Sequence, residues 1–371
     1  MSAPAPAPES ARRRPAGAGL DRPALRIGAA SWPWRPRAAL VCLAVAVLLA
    51  AAFLRALVAF DSSDVGLSEV AAVLLGGGDF GQRFIVLELR MPRALTGALV
   101  GAALGLSGAI LQSLARNPLA SPDTLGIGWG AAIGAVTVIV FGGSAGGISG
   151  AVGQFGVPAG AIAGGLVAAF AVFGLSWRAG VHSNRLLLVG IAVSLTCANL
   201  VYWIITWTDL QSAARAQTWI TGSLHAADWD RAGAAAVALA VIIPVALGAN
   251  RTLGALGLGD DAALGLGVRV SAARLVLLTV SALLVCVATS AAGPINFVAL
   301  AAPQIAMRLC RCAQPPPFTS MLLGGALTLV ADQLAAGLFA PTQLPVGVFT
   351  AVLGAPFLMY LIVVRHREAR L

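Results

Sequence analysis

Lysine is missing from this sequence of 371 residues; all 24 basic side chains are arginine. A Walker-A loop needs lysine to reach the phosphates of ATP. The chain therefore holds no Walker-A site, and any ATP that drives it is hydrolysed on another subunit. Charge is scarce as well. Only 11% of the residues are charged, against about a quarter in an average soluble domain. Histidine occurs three times. There is no HExxH and no nucleophile paired with a base, so nothing points to an intramembrane enzyme. The five cysteines are Cys42, Cys197, Cys286, Cys310 and Cys312. Three lie in apolar runs, while Cys310 and Cys312 flank Arg311 without the spacing or histidine partners of a zinc site. They read as small apolar filler, with no disulfide, no metal and no cofactor expected.

What the chain has in abundance is apolar surface. It is 58% hydrophobic, with a mean hydropathy of +0.88 and many long uncharged runs. These features imply a polytopic membrane protein, an all-α bundle of about ten transmembrane helices. Spans are expected near 38–60, 91–114, 124–142, 151–177, 184–207, 232–250, 273–293, 295–310, 319–340 and 344–364. The seventh and eighth are parted only by Gly293-Pro294, which predicts a tight re-entrant corner. Residues 1–37, rich in Pro, Ala and Arg, read as a disordered cytoplasmic tail, with the transmembrane domain at 38–371.

Charge sets the orientation. With the N-terminus inside and ten alternating spans, 18 of the 24 arginines fall inside. The outer loops instead gather Asp61, Asp64, Glu69, Asp79, Glu88, Asp209, Asp228 and Asp230. This imbalance supports N-in, C-in. It also explains the net charge of +9 by the ends of apolar segments, so no nucleic-acid partner is expected. Glycines four apart, at Gly97/Gly101/Gly105, Gly126/Gly130/Gly134 and Gly160/Gly164, let helix backbones approach closely. GIGWG at 126–130 has no preceding strand and belongs to that packing pattern, not to a nucleotide site.

Several segments depart from plain hydrophobicity. From Leu89 to Gly130 runs LRMPRALTGALVGAALGLSGAILQSLARNPLASPDTLGIGWG. Arg90 and Arg93 flank Pro92 and lie on one helical face at the outer end, against the positive-inside trend. Headgroup anchoring and a task outside are both open for them. Leu258–Val268, LGDDAALGLGV, interrupts two apolar spans on the inside. Asp260 and Asp261 sit where a helix N-terminus would favour them, and Ala262, Leu264, Leu266 and Val268 offer apolar knobs. Asp332 lies inside an apolar span, where a carboxylate is a functional candidate; a structural, hydrogen-bonding role near the outer surface is equally open. Further blocks are WITGSL at 219–224, AGPINFVAL at 292–300 with Pro303, QLPVG at 343–347 and LGAPF at 353–357.

Together these ordered blocks, covering roughly residues 60 to 367, resemble the permease subunits of ABC importers for iron-siderophores, haem and cobalamin, the FecCD-type or type II importers. The resemblance implies a bacterial cytoplasmic (inner) membrane location and a second permease, identical or homologous. It also implies ABC ATPase subunits inside and a periplasmic or lipid-anchored substrate-binding protein outside. Arg90 and Arg93 match arginines that meet acids of the binding protein. Leu258, Gly259, Asp260, Asp261, Ala262, Leu264 and Gly267 match the paired coupling helices that seat in the ATPase. Asn117, Leu119, Ser183 and Asn184 match turns that narrow the cytoplasmic exit. Ferric siderophore is the leading cargo, with cobalamin and haem open. Departures stand at Asn296 and Ala299, where glycine is usual, and at Gln304, where histidine is usual. Ala336 stands where arginine is usual and Gln343 where glutamate is usual. An ion-gradient-driven secondary transporter is the other reading; it would want intramembrane acids or broken helices lining an ion site.

Overall fold

The computed structural model describes residues 24–27, 30–33, 36–58, 65–142, 155–176, 183–338 and 343–368. Helices among them are α1 (Pro36–Val58), α2 (Leu67–Leu74), α3 (Phe80–Arg83), α4 (Met91–Ala115), α5 (Ile127–Phe141), α6 (Val157–Ser176), α7 (Ser183–Thr206) and α8 (Leu210–Ile220). They continue as α9 (Trp229–Gly248), α10 (Asn250–Gly257), α11 (Asp260–Gly265), α12 (Val270–Ala292), α13 (Val298–Cys310), α14 (Pro317–Gly337) and α15 (Val346–Glu368). Among the described residues seven helical stretches are long and apolar enough to cross a membrane, and α5, α13 and α15 are shorter apolar helices. Each of these occupies one of the ten spans expected from the sequence.

Most of the expected tail lies outside the described residues. Inside it, Ala24–Ile27 pairs antiparallel with Ala30–Pro33, Leu25 opposite Trp32. Two strands alone are marginal in water.

Local chemistry sets the helix ends. Asp79, Asp209 and Asp228 each accept a backbone N–H of their own first turn, from Gln82, Ser212 and Arg231, as N-caps do. Pro92 lies at the start of α4 directly after a π-helical stretch, where its missing N–H leaves one intrahelical bond unmade. At its other end Arg116 turns left-handed and Asn117-Pro118 prevents continuation. A π-helical stretch, Phe84–Arg90, joins α3 to α4, so 80–115 is one continuous helix of 36 residues. At 1.5 Å per residue it is about 54 Å long, well beyond the roughly 30 Å apolar core of a bilayer. Its first turns therefore project from the outer side.

The long helix is the centre of the bundle. Its most apolar window is 78% buried, against 11% for α7. Val100, Leu104, Leu106, Ile110 and Leu111 of α4 are buried together with Leu277, Leu284 and Val285 of α12. The glycine spacing does what close packing demands. A methyl on Gly101 or Gly105 would strike the backbone of Gly324 or Ser320 on α14, and one on Gly130 or Gly134 would strike that of Gly164 or Gly160 on α6. Gly126 works otherwise: it takes φ 73° as the left-handed residue before α5. The corner expected at Gly293-Pro294 is wider than two residues. Gly293 (φ 71°) ends α12, and α13 starts only at Val298, after a second left-handed residue, Phe297 (φ 68°).

Candidate functional site

Two polar constellations stand at opposite ends of α4. At the outer end, Arg93 makes a two-pronged pair with Asp332 of α14. Its Nε donates to one carboxylate oxygen and Nη2 to the other, both at 3.0 Å. The side chains are 11% and 1% exposed, so the pair is nearly dry. Arg93 Nη1 also donates to Gln343 at 3.4 Å. The Gln343 Oε1 meets His225 Nε2 at 2.6 Å, and the other ring nitrogen of His225 meets Ser223. Burial first, then the charge of Arg93, pushes the His225 pKa below its ordinary value. At the next residue of α14, Arg55 of α1 donates to Gln333 at 2.8 Å and Gln333 donates to the Ala52 carbonyl at 2.7 Å.

Arg90 is 4% exposed. Its Nη1 donates to the carbonyls of Leu57 and Val58 at 2.8 and 2.9 Å, the end of α1 that has no intrahelical donor. In this conformation the Arg90 guanidinium closes a neighbouring helix. The sequence placed Arg90 and Arg93 on one face but did not show which helix end lay opposite.

At the inner end, α11 lies within the segment Leu258–Val268, and a second short helix, α10, precedes it from Asn250. Leu253 and Leu256 bury α10 against the bundle. Gly259 (φ 117°) makes the elbow. Beyond it the apolar knobs face outward: Leu258 is 69%, Leu264 59% and Leu266 64% exposed, while Ala263 is fully buried. Ala262 and Gly267 are exposed as well. Asp260 does not serve as the helix cap; it accepts from Arg116 and, at 2.8 Å, from Arg274. Asp261 is exposed.

The gate residues are partly visible. Asn117 and Leu119 are half-buried, and Asn117 Oδ1 accepts the Leu119 N–H at 3.0 Å. Ser183 and Asn184 open α7, but their side chains lie outside the described residues.

A profile of the FecCD transport family matches residues 43–364. The chain belongs to that family. It is 38% identical over 302 residues to the ferric enterobactin transport system permease protein FepG of Escherichia coli (strain K12), 81% of this chain and 89% of that one. It is 36% identical over 324 residues to the iron(3+)-hydroxamate import system permease protein FhuG of Bacillus subtilis (strain 168), 85% of this chain and 96% of that one. A solved metal-chelate type ABC transporter in an inward-facing conformation superposes with a TM-score of 0.76 at 26% identity, covering 88% of this chain and 99% of its own. The chain is thus a multi-pass permease of the bacterial cytoplasmic membrane.

Two of the residues expected to depart from the family pattern, Gln343 and Gln304, find partners inside this fold. Gln343 receives both Arg93 and His225. Gln304, buried on α13, donates to Gln112 of α4 at 2.6 Å, and Gln112 donates to the Leu300 carbonyl at 3.1 Å. The amide pair is thereby satisfied without a histidine.

One residue was missed. Asp123 follows a helix that ends inside, and Phe297 follows one that ends outside. Yet Asp123 Oδ2 accepts the Phe297 N–H at 3.3 Å. They meet because both connections fold back into the bundle, leaving α5 and α13 at 15 and 13 residues. These are about 22 and 20 Å long, too short to cross alone. Asp123 therefore places its carboxyl group at the start of the short helix α13. The acid within an Asn-Pro…Pro-Asp turn was the available signal.

Proposed function

We propose that this permease pairs with a second permease, identical or homologous, and moves ferric siderophore inward on the power of separate ATPase subunits. The observation that carries this reading is the apolar triad Leu258, Leu264 and Leu266, raised on α10–α11 at the inner face. Exposed leucines on a rigid, charge-fastened elbow are costly in water and natural as knobs for a cleft in a partner. An ATPase shifts the permease between states only if its nucleotide-bound form contacts those states differently. A protruding seat on the inner side supplies such a contact.

Two other surfaces support the reading. Helix α7 is the least buried span, yet Thr196 and Asn199, three apart, lie exposed on it, each donating to the carbonyl four residues back. Polar groups at membrane depth face a cavity or a partner, not lipid. Beside the second permease, this face lines the conduit, which Asn117, Leu119, Ser183 and Asn184 narrow at the inner mouth. Outside, Arg93 with Gln343 and His225 forms the rim for a periplasmic or lipid-anchored binding protein; Arg90 supports that rim from within. Rim charges give steering and register more than affinity.

Hemin and cobalamin permeases are also among the relatives, at 38% and 35% identity, so competition between chelates decides the cargo. Asp123 and the broken helices favour a second reading, transport driven by an ion gradient. Against it, the Asp123 carboxylate is already engaged by a backbone N–H. The test is uptake by proteoliposomes containing the permease and the ATPase that co-purifies with it. ATP-dependent uptake of ferric siderophore is expected, and Leu264→Asp should release the ATPase. Uptake that follows a proton or sodium gradient without ATP would overturn the proposal.

A further inference from the structure

The inner constellation contains a link that neither the coupling segment nor the gate explains by itself. Arg116 is the residue immediately before the Asn117–Leu119 turn. It adopts the left-handed conformation, φ 47° and ψ 33°, which a non-glycine residue holds only where its surroundings over-determine it. Two sets of contacts do so. Its backbone N–H returns to Gln112 of α4. Its guanidinium reaches across to the elbow between α10 and α11: Nε and Nη2 donate to the Leu256 carbonyl at 3.2 and 2.7 Å, and Nη2 also reaches Asp260. The Leu256 carbonyl lies in the last turn of α10, where carbonyls lack an intrahelical donor and a cation is favoured. Asp260 lies in the first turn of α11 and is shared with Arg274 near the start of α12. One planar fork thus holds both halves of the elbow, and its own backbone leads directly into the gate turn.

We propose that Arg116 is a positioning residue that transmits displacement of the ATPase-facing elbow to the Asn117–Leu119 turn, with Asp260 and Arg274 as the clamp that keeps its fork engaged. The inference rests on the ATPase-driven reading above. Movement of α11 pulls the guanidinium and so rotates a backbone already at the edge of its allowed region; the next residues are the gate. The Arg116 and Asp260 side chains are 42% and 44% exposed. An ion pair that open contributes little to folding, so breaking it alters communication while leaving the bundle standing.

The experiment compares wild type, Arg116→Ala, Arg116→Lys and Arg274→Gln, each purified with the ATPase and reconstituted with the binding protein. ATP hydrolysis and siderophore uptake are measured on the same vesicles. The expected result is unchanged co-purification and near-normal hydrolysis. Uptake per ATP should fall by a factor on the order of five to ten in Arg116→Ala, the lower end of ordinary coupling between sites. Arg116→Lys keeps the charge without the fork and should fall between. If Arg116→Ala does not accumulate in the membrane, Arg274→Gln carries the test, since it leaves α4 untouched and loosens Asp260 from α12. Unchanged uptake per ATP overturns the inference, and so does loss of the ATPase from the complex, which would make Arg116 part of the seat and not of the transmission. A wild type that recruits no ATPase is a different failure and sinks the importer reading itself.

Discussion

Removing the carboxylate of Asp332 while leaving Arg93 in place should cost more stability than any other single polar change in the described bundle. Asp332 is 1% exposed and holds Arg93 through two bonds of 3.0 Å. Deleting one member of such a pair strands the other charge in a dry site, which costs about 3–5 kcal/mol. With an unfolding entropy of about 2.1 cal/mol/K per residue over roughly 300 residues, that is a fall in Tm of about 5–8 °C. The assay is thermal unfolding of detergent-purified Asp332→Ala, scanned at one fixed rate because membrane proteins unfold irreversibly. The double variant Arg93→Met with Asp332→Leu supplies the decisive comparison. It removes both charges and keeps volume, so it should recover most of the loss, as charge-to-apolar replacement of buried pairs does. Should Asp332→Ala melt within about 1 °C of wild type, or the double variant melt as low as the single, the stranded-charge reasoning is wrong.

Two further outcomes are expected. Gly134→Val places a side chain against the Gly160 carbonyl of α6. Overpacking of this kind costs about 1–3 kcal/mol or more, so the monodisperse peak in size-exclusion chromatography should shrink, whereas Gly233→Ala, with nothing within 4 Å of the new methyl, should leave it unchanged. His225 has a folded pKa below its ordinary 6.5, from burial and then Arg93. The unfolded chain therefore binds its proton more readily; the contribution is complete above 6.5 and declines as pH falls from there toward the lowered value. Between about pH 8 and about pH 5.5 wild type should lose Tm more steeply than His225→Gln; equal slopes for the two would refute the assignment.

Much of the architecture was legible because membrane spans are written in one dimension. A run of apolar residues bounded by arginine, Asn-Pro or Gly-Pro needs no tertiary information to become a helix across a bilayer. The four-residue glycine spacing was equally readable, because in a helix it always produces one smooth stripe. The inner segment around Asp260 was placed correctly. Its first helix, Asn250–Gly257, was not, although Asn250-Arg251-Thr252 marks its start, because it follows α9 after a single residue. The broken helices α5 and α13 escaped notice for the opposite reason: their sequences are apolar enough to read as full spans.

Polar side chains were harder still. Arg90 and Arg93 are three apart and looked equivalent, yet one closes α1 and the other pairs with Asp332, 239 positions away. Asp260 looked like a cap and proved to be an acceptor for two arginines. No local pattern contains such choices, because the partner of a charged group is whatever the fold brings within 3 Å. Asn117 and Arg116 make the point together: the turn was visible as Asn-Pro, while the reach of Arg116 to Leu256 and Asp260 was not.

Composition alone therefore pointed to the membrane class and the orientation and excluded a Walker-A site, since hydropathy, arginine asymmetry and the absence of lysine are sums over residues. The assembled structure decided which charges are buried, which leucines stand exposed and which two connections turn back to meet inside the bundle. Those are properties of pairs distant along the chain, and only packing chooses them.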